Sequence, residues 1–419
     1  MNLTVVCPHF APDAAPTGHV MTSLVEEWVA QGHRVHVVTA KPWYVRHRVE
    51  EGWGKGLVHH EDTSWGRISR VHPFPTDKRN IPARALAFLG FTILAGWVAL
   101  LRRTRPDVVL VMSPPLTLGL AGWVVSRLRR APLVFNVQDI FPDVAVDAGV
   151  LTNPVVVRVA GAIERFCYRR AAAVTVLSDD LRANVAGKVP ERHRDKVAVI
   201  PNFIDTGRVS PGPRENDYRR EYGLSGARVV MYAGNLGFSQ PVELLLDAAR
   251  DLAADDGLLF VVNGGGAARP SLERAADDLP NVHFVDLQPR ERLSEVLAAA
   301  DVHVVLLRPG LARSSVPSKL YSVLAAGRPI VASVDPGSEV ARILDEAGAG
   351  IAVPAGDGPA FTRGLESMLA EPEEAVRMGE RGRAFVESWP SPTDIAERYL
   401  ELFASLDGGG MARVGGSVV

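Results

Sequence analysis

Residues 301–331 read DVHVVLLRPGLARSSVPSKLYSVLAAGRPIV, a strand, a loop, a helix start, a small-residue helix and a second strand in one compressed run. Asp301 to Leu307 is an apolar run suited to a buried strand. Pro317 and Ser318 suit a first helical turn, which sets Lys319 where unpaired backbone N–H groups point outward. A helix N-terminus carrying a lysine attracts phosphate oxygens through its dipole, its free donors and a point charge. Gly327 stops the helix, Pro329 follows it, and Ile330 to Val334 returns to the sheet. Standing alone, the segment is better read as a surface lysine on an ordinary βαβ unit.

Outward from this stretch the same alternation fills the chain. At 419 residues it exceeds one ordinary core, so two domains are expected. Hydrophobic residues at 47% with a mean hydropathy near zero describe a soluble globular protein. Cys7 and Cys167 form no CxxC pair and no ligand spacing, which points to a reducing compartment. Met1-Asn2-Leu3 leads directly into a strand, with no basic and apolar leader pattern. The net charge of -2 hides an asymmetry: the first 205 residues are basic and the remainder acidic. A basic first half suits anionic lipid or a pyrophosphate-bearing substrate. Nucleic acid is disfavoured as a partner, because the arginines are dispersed and no recognition module appears.

Leu3 to Cys7 reads as a strand, Thr17 to Gln31 as a helix with Gly18 at its start, and His33 to Thr39 as the next strand. Trp43 to Asp77 reads as polar, aromatic and irregular. Ala85 to Leu101 contains no charged residue and is bracketed by Lys78, Arg79 and Arg84 before it and Arg102, Arg103 and Arg105 after it. It is somewhat short of the roughly 20 apolar residues that span a bilayer. A wholly buried helix and a helix lying in the membrane interface fit it equally. Leu133 to Val137 is a strand whose carboxyl end carries Gln138-Asp139-Ile140-Phe141-Pro142-Asp143. Ligands of open parallel sheets sit outside such ends, so Asp139 and Asp143 are site candidates, although Asp139 reads equally as a turn cap.

Pro201 to Pro213 has linker composition. The pattern then restarts with Arg228 to Tyr232 and the glycine turn Gly234-Asn235-Leu236-Gly237, and again with Leu258 to Val262 and Gly264-Gly265-Gly266. The expected domains are therefore 1–205 and 206–389, with a closing helix over 390–405 packing back on the first domain and a disordered tail over 406–419.

Four segments together resemble glycosyltransferase family 4: Asn136-Val137-Gln138-Asp139-Ile140-Phe141-Pro142-Asp143, Ile200-Pro201-Asn202-Phe203-Ile204-Asp205, Tyr232-Ala233-Gly234-Asn235-Leu236-Gly237, and Val316-Pro317-Ser318-Lys319-Leu320-Tyr321 through Pro329. The subgroup they look like is the bacterial L-fucosamine and colanic-acid transferases of surface-polysaccharide assembly. The resemblance implies a GT-B fold, an α/β architecture of two doubly wound Rossmann-like domains facing across a cleft. It also implies a nucleotide-sugar donor held by the second domain, an acceptor held by the first, and retention of configuration at the transferred sugar.

Carried over position by position, the resemblance gives Lys319 the donor diphosphate and Asp139 the acceptor hydroxyl, as the catalytic pair. Gly234, Asn235, Gly237 and Gly265 would approach the phosphates or sugar, with Ser318 and Leu320 at the helix start and Gly18 facing them. Gln138 and Asp143 fall on the acceptor side. Glutamates common in the family are replaced here by Ser314 and Ser322. Phe238-Ser239-Gln240-Pro241 follow Gly237 where an arginine or lysine is usual, and Gln138 stands where histidine or arginine is frequent. Arg308 and Arg313 are candidates to supply the missing charge. The chain contains no Asp-x-Asp, so metal-independent chemistry without a cofactor is expected, leaving lysine, backbone donors and a helix dipole to neutralise the departing diphosphate.

The acceptor expected is a glycan or polyprenyl-diphosphate-linked sugar, met by a cytoplasmic protein at the inner face of the membrane through Ala85–Leu101. A sugar-nucleotide 2-epimerase and a non-catalytic nucleotide-sugar-binding scaffold are the competing readings.

Overall fold

The structure is a computed structural model that describes residues 1–44, 48–76, 81–237 and 239–407. The expected tail over 406–419 falls outside these from residue 408, as do Lys78, Arg79 and Phe238. The chain divides into two compact units: Met1–Asp143 with Leu151–Asn202 and the segment from Pro392, and Val144–Val150 with Phe203–Ser391.

In the first unit the strands are β1 (Asn2–Val6), β2 (Arg34–Ala40), β3 (Val58–Thr63), β4 (Gly66–Val71), β5 (Val108–Ser113), β6 (Leu133–Val137), β7 (Ala173–Val176) and β8 (Val197–Val199). They form one sheet in the order β3-β4-β2-β1-β5-β6-β7-β8, parallel except for β3, which runs antiparallel to β4. Continuous apolar runs such as Val108–Met112 are what a parallel sheet covered on both faces requires, and all six residues of β5 are buried.

The β3–β4 hairpin corrects the reading of Trp43–Asp77 as irregular. Its outer strand, Val-His-His-Glu-Asp-Thr, carries charge on an exposed edge and lacks the apolar run that marks the inner strands. The helices of this unit are α1 (Pro16–Ala30), α2 (Ile81–Leu100), α3 (Leu118–Arg129), α4 (Asp143–Asp147, which leads into the second unit), α5 (Pro154–Arg170) and α6 (Asp179–Gly187). Asn153 caps α5 by accepting the Val155 and Val156 N–H groups, and Ser178 caps α6 through Leu181 N–H.

The closing helix, Pro392–Asp407, packs on α1: Trp28, fully buried, donates its indole N–H to Ala396 O at 3.0 Å and meets the rings of Tyr399 and Phe403. The reading of 85–101 as a wholly buried helix does not hold, because α2 buries Ala87, Phe91 and Ala95 while Leu86, Ile93 and Trp97 are exposed.

The second unit is built on β9 (Arg228–Ala233), β10 (Leu258–Asn263), β11 (Val282–Val285), β12 (Val302–Leu306), β13 (Ile330–Val334) and β14 (Gly350–Pro354), in the all-parallel order β11-β10-β9-β12-β13-β14. The chain leaves β9 toward one edge and later returns to β12 on its other side. The carboxyl ends of β9 and β12 are therefore the topological switch point, where a doubly wound sheet opens a crevice. In the first unit the corresponding place is the carboxyl ends of β1 and β5.

Candidate functional site

At the switch point of the second unit, β9 carries Tyr232 one residue before its end at Ala233 and runs into Gly234. The helix Lys319–Ala325 begins close by. The Lys319 Nζ lies 3.6 Å from the centroid of the Tyr232 ring and, although buried, has no hydrogen-bond partner among the described residues. Burial pushes its pKa down from 10.5 to about 7. The cause is desolvation without a compensating carboxylate. A buried ammonium that faces only an aromatic ring lacks an anion, and a β-carbon on Gly234 would stand 3.3 Å from the same Nζ. Gly234, at φ 143°, thus leaves room for the amine at the mouth of the strand.

Tyr232 holds both parts of this arrangement. Its ring lies under Lys319, and its hydroxyl donates to Asn235 O at 2.6 Å, fixing the glycine turn. Asn235 is exposed, whereas Leu236 is fully buried and anchors the turn from below. Gly237 donates its N–H to Gln240 Oε1. The turn leans on the loop after β10: Leu236 N–H donates to Gly265 O at 2.9 Å. A β-carbon on Gly264 would come 1.9 Å from Gly234 O, and one on Gly266 2.3 Å from Leu236 O. The glycine requirement falls on Gly264 and Gly266, not on Gly265, which has open space around its Cα.

The remaining donor-side residues separate. Ser318 is exposed at the helix N-cap, while Leu320 is fully buried in the core with its N–H on Pro317 O. Leu320 braces the helix start and offers no side chain to a ligand. Arg308 lies 3.8 Å from Glu243, and Arg313 is exposed at the end of a 3₁₀ turn. Asp335 accepts the N–H groups of Gly310 and Ala312 and so shapes this loop. Ser314 is buried, its hydroxyl 3.2 Å from Leu311 O and 3.5 Å from Asp147 Oδ2. Ser322 is half-buried on the helix.

In the first unit, Asp139 follows β6 and is half-buried. Asp143 is engaged elsewhere, bonded by Lys188 Nζ at 2.7 Å and Asn184 Nδ2 at 2.9 Å. Gln138 is buried, donating to Asn136 Oδ1 and accepting from Asn202 Nδ2, each at 2.9 Å. Asn136 in turn donates to Tyr399 of the closing helix. This amide chain ties Asn202, in the linker stretch, to the closing helix through Gln138 and Asn136 and fixes the Gln138 side chain at the end of β6.

Gly18 admits the protein's own loop, since a β-carbon there would stand 2.9 Å from His9 Cβ. That loop holds a pair the sequence reading passed over: His9 Nδ1 lies 2.6 Å from Asp13 Oδ2, with Asp13 fully buried and His9 partly exposed. Both residues follow β1, at the switch point of this unit. Their spacing of four residues in a Pro-containing loop carries no motif by which to find them.

Tyr232 was within a recognised segment, yet its role was invisible, because a ring beneath a lysine 87 positions away leaves no local pattern. Tyr232→Phe keeps the ring and removes the hydroxyl. It is expected to lower stability by about 1 kcal/mol, as loss of one hydrogen bond does, which thermal melting checks.

Residues 17–202 match the glycosyl transferase 4-like domain, and residues 227–371 match glycosyl transferases group 1. Among relatives, the probable glycosyltransferase WbjE of Pseudomonas aeruginosa is 30% identical over 300 residues, spanning 70% of this chain and 74% of that protein. The putative colanic acid biosynthesis glycosyl transferase WcaI of Escherichia coli K12 is 26% identical, over 82% of this chain and 86% of its own length. Among solved structures, Anabaena HepE in complex with UDP-glucose shares the fold with a TM-score of 0.70 at 14% identity, over 97% of this chain and all of that one.

Proposed function

We propose that this chain, which belongs to the family 4 glycosyltransferases of bacterial surface-polysaccharide synthesis, uses a UDP-sugar donor, retains configuration at the transferred carbon and works without a metal ion. The observation that carries the donor site is the buried Lys319 amine, lacking a partner among the described residues at the switch point beside Gly234. A diphosphate supplies the anion that this amine lacks. As the bond from sugar to diphosphate breaks, negative charge grows on the leaving oxygen, and a preformed cation in a dry site stabilises it more than water would. Asp139 is proposed as the acceptor-side group. The acceptor is a glycan or a polyprenyl-diphosphate-linked sugar, the latter met at the inner face of the cytoplasmic membrane.

Thermal melting with UDP, GDP, ADP and their sugars, each with Mg²⁺ and with EDTA, tests the reading, because a ligand of the native state raises the midpoint by mass action. The fold neighbour that holds UDP-glucose puts UDP first. UDP and one UDP-sugar are expected to raise the midpoint equally in both media. Stabilisation that needs Mg²⁺ would sink the metal-free reading, and stabilisation by GDP or ADP alone would reassign the donor. Binding without transfer to any acceptor would favour the scaffold.

A further inference from the structure

From Ile81 to Gln138 the chain carries seven arginines and a single carboxylate, Asp107, and that carboxylate accepts the Asn2 N–H at 2.7 Å. Within this stretch, every exposed position of α2 from Ala85 onward is apolar. Leu86 is 70% exposed, Ile93 53% and Trp97 60%. With Leu89 they recur at helical spacing and form one stripe along α2. The opposite side of the helix is ordinary core.

The stripe continues onto the neighbouring helices. α2 packs on α3, where the Thr92 and Thr117 hydroxyls bond at 2.7 Å. α3 exposes Val124 and Leu128. α3 packs on α5 through Trp123 against Phe166, and α5 exposes Val155, Val156 and Val159. At the carboxyl ends of α2 and α3 the arginines cross-brace the helices: Arg129 donates to Thr104 O and Arg105 to Arg130 O, both at 2.7 Å. Arg103 and Arg127 remain exposed beside these braces. The acid of α5, Glu164, is buried and paired with Lys188 at 2.7 Å.

Such a face selects its occupant by charge. A second copy of the same chain would set arginine against arginine. An apolar phase with an anionic rim satisfies both the stripe and the guanidinium groups. No helix among the described residues is long and apolar enough to cross a membrane.

We propose that α2, α3 and α5 form a docking face for the anionic surface of a phospholipid bilayer, with α2 lying in the membrane plane and Arg103 and Arg127 at the lipid phosphates. This deepens the lipid-linked acceptor reading by naming the surface at which such an acceptor is met. The donor site lies in the other unit, and its ligand response is separately measurable.

The test is co-sedimentation of the full chain with vesicles of phosphatidylcholine alone and of phosphatidylcholine with one third phosphatidylglycerol, at low and high salt, alongside the UDP melting assay. Wild type is expected on the anionic vesicles at low salt and largely off the neutral ones. Arg103→Gln and Arg127→Gln should each lower partitioning about fivefold. Leu89→Gln combined with Ile93→Gln should abolish it, while Val376→Gln on an exposed helix of the other unit should change nothing. Light scattering reports the oligomeric state of each variant. Wild type that responds to UDP but stays off anionic vesicles overturns the docking face and leaves the donor reading standing. Equal binding to both vesicle types, or a dimer that the Leu89/Ile93 variant dissociates, also overturns it.

Discussion

Lys319→Met is expected to lose all stabilisation by the donor nucleotide while melting higher than wild type in the absence of ligand. Both effects come from one atom. The Lys319 Nζ is buried, lacks a hydrogen-bond partner among the described residues and rests against the Tyr232 ring at 3.6 Å. Without ligand, the fold carries the cost of a half-charged amine in a dry place, and the cation–π contact offsets only part of it. Methionine fills similar volume with no charge to desolvate. The unligated variant should gain roughly 2 kcal/mol, or about 5 °C for a unit of this size. With donor present, the amine is the cation that meets the diphosphate, so transfer should fall about 1000-fold. A Lys319→Met protein that still responds to UDP would remove Lys319 from the donor site. One that melts lower than wild type without ligand would show that the amine is a stabilising surface group after all.

The parts legible in the sequence were those whose signal is local. Apolar runs of strand length and glycines after strands announced both sheets, and most of the strands lie where those runs are. Both strands of the β3–β4 hairpin were missed: β3 because an exposed edge strand is selected for charge, not for apolar continuity, and β4 because Gly66-Arg67-Ile68-Ser69-Arg70-Val71 interleaves polar residues with its two apolar ones. The amide chain from Asn202 through Gln138 and Asn136 to Tyr399 could not be foreseen, since it joins residues up to 263 positions apart. The same holds at the glycines. Their presence was plain, but which of Gly264, Gly265 and Gly266 tolerates no side chain depends on where the Gly234 and Leu236 carbonyls pass. Lys319 stood out in the sequence for its place at a helix start after a strand. The pattern could not reveal that the amine is buried over a ring, and that is the feature which gives it a neutral-range pKa.

Nucleotide-sugar affinity should fall roughly 50-fold between pH 7 and pH 9, while the stability of the unligated protein moves the other way. In the unligated fold Lys319 titrates at about 7. The titratable groups around it stay neutral through this range: burial holds His303 down to about 4 and drives Tyr232 upward. The diphosphate group of a nucleotide-sugar has no ionisation of its own there. Bound beside Lys319, its two negative charges draw the amine back toward an ordinary lysine pKa, so binding takes up a proton wherever the free site has lost one. Affinity is therefore full below pH 7 and declines as pH rises through and above it.

The unligated fold binds fewer protons than the unfolded chain between about 7 and the ordinary lysine value, so its own stability rises over the same interval. Opposite slopes distinguish this from general alkaline unfolding, in which both quantities fall together. Calorimetry in buffers of different ionisation enthalpy should register the proton uptake directly, and Lys319→Arg, charged throughout, should bind with little dependence on pH. A flat wild-type profile would mean that the amine is already charged before the donor arrives.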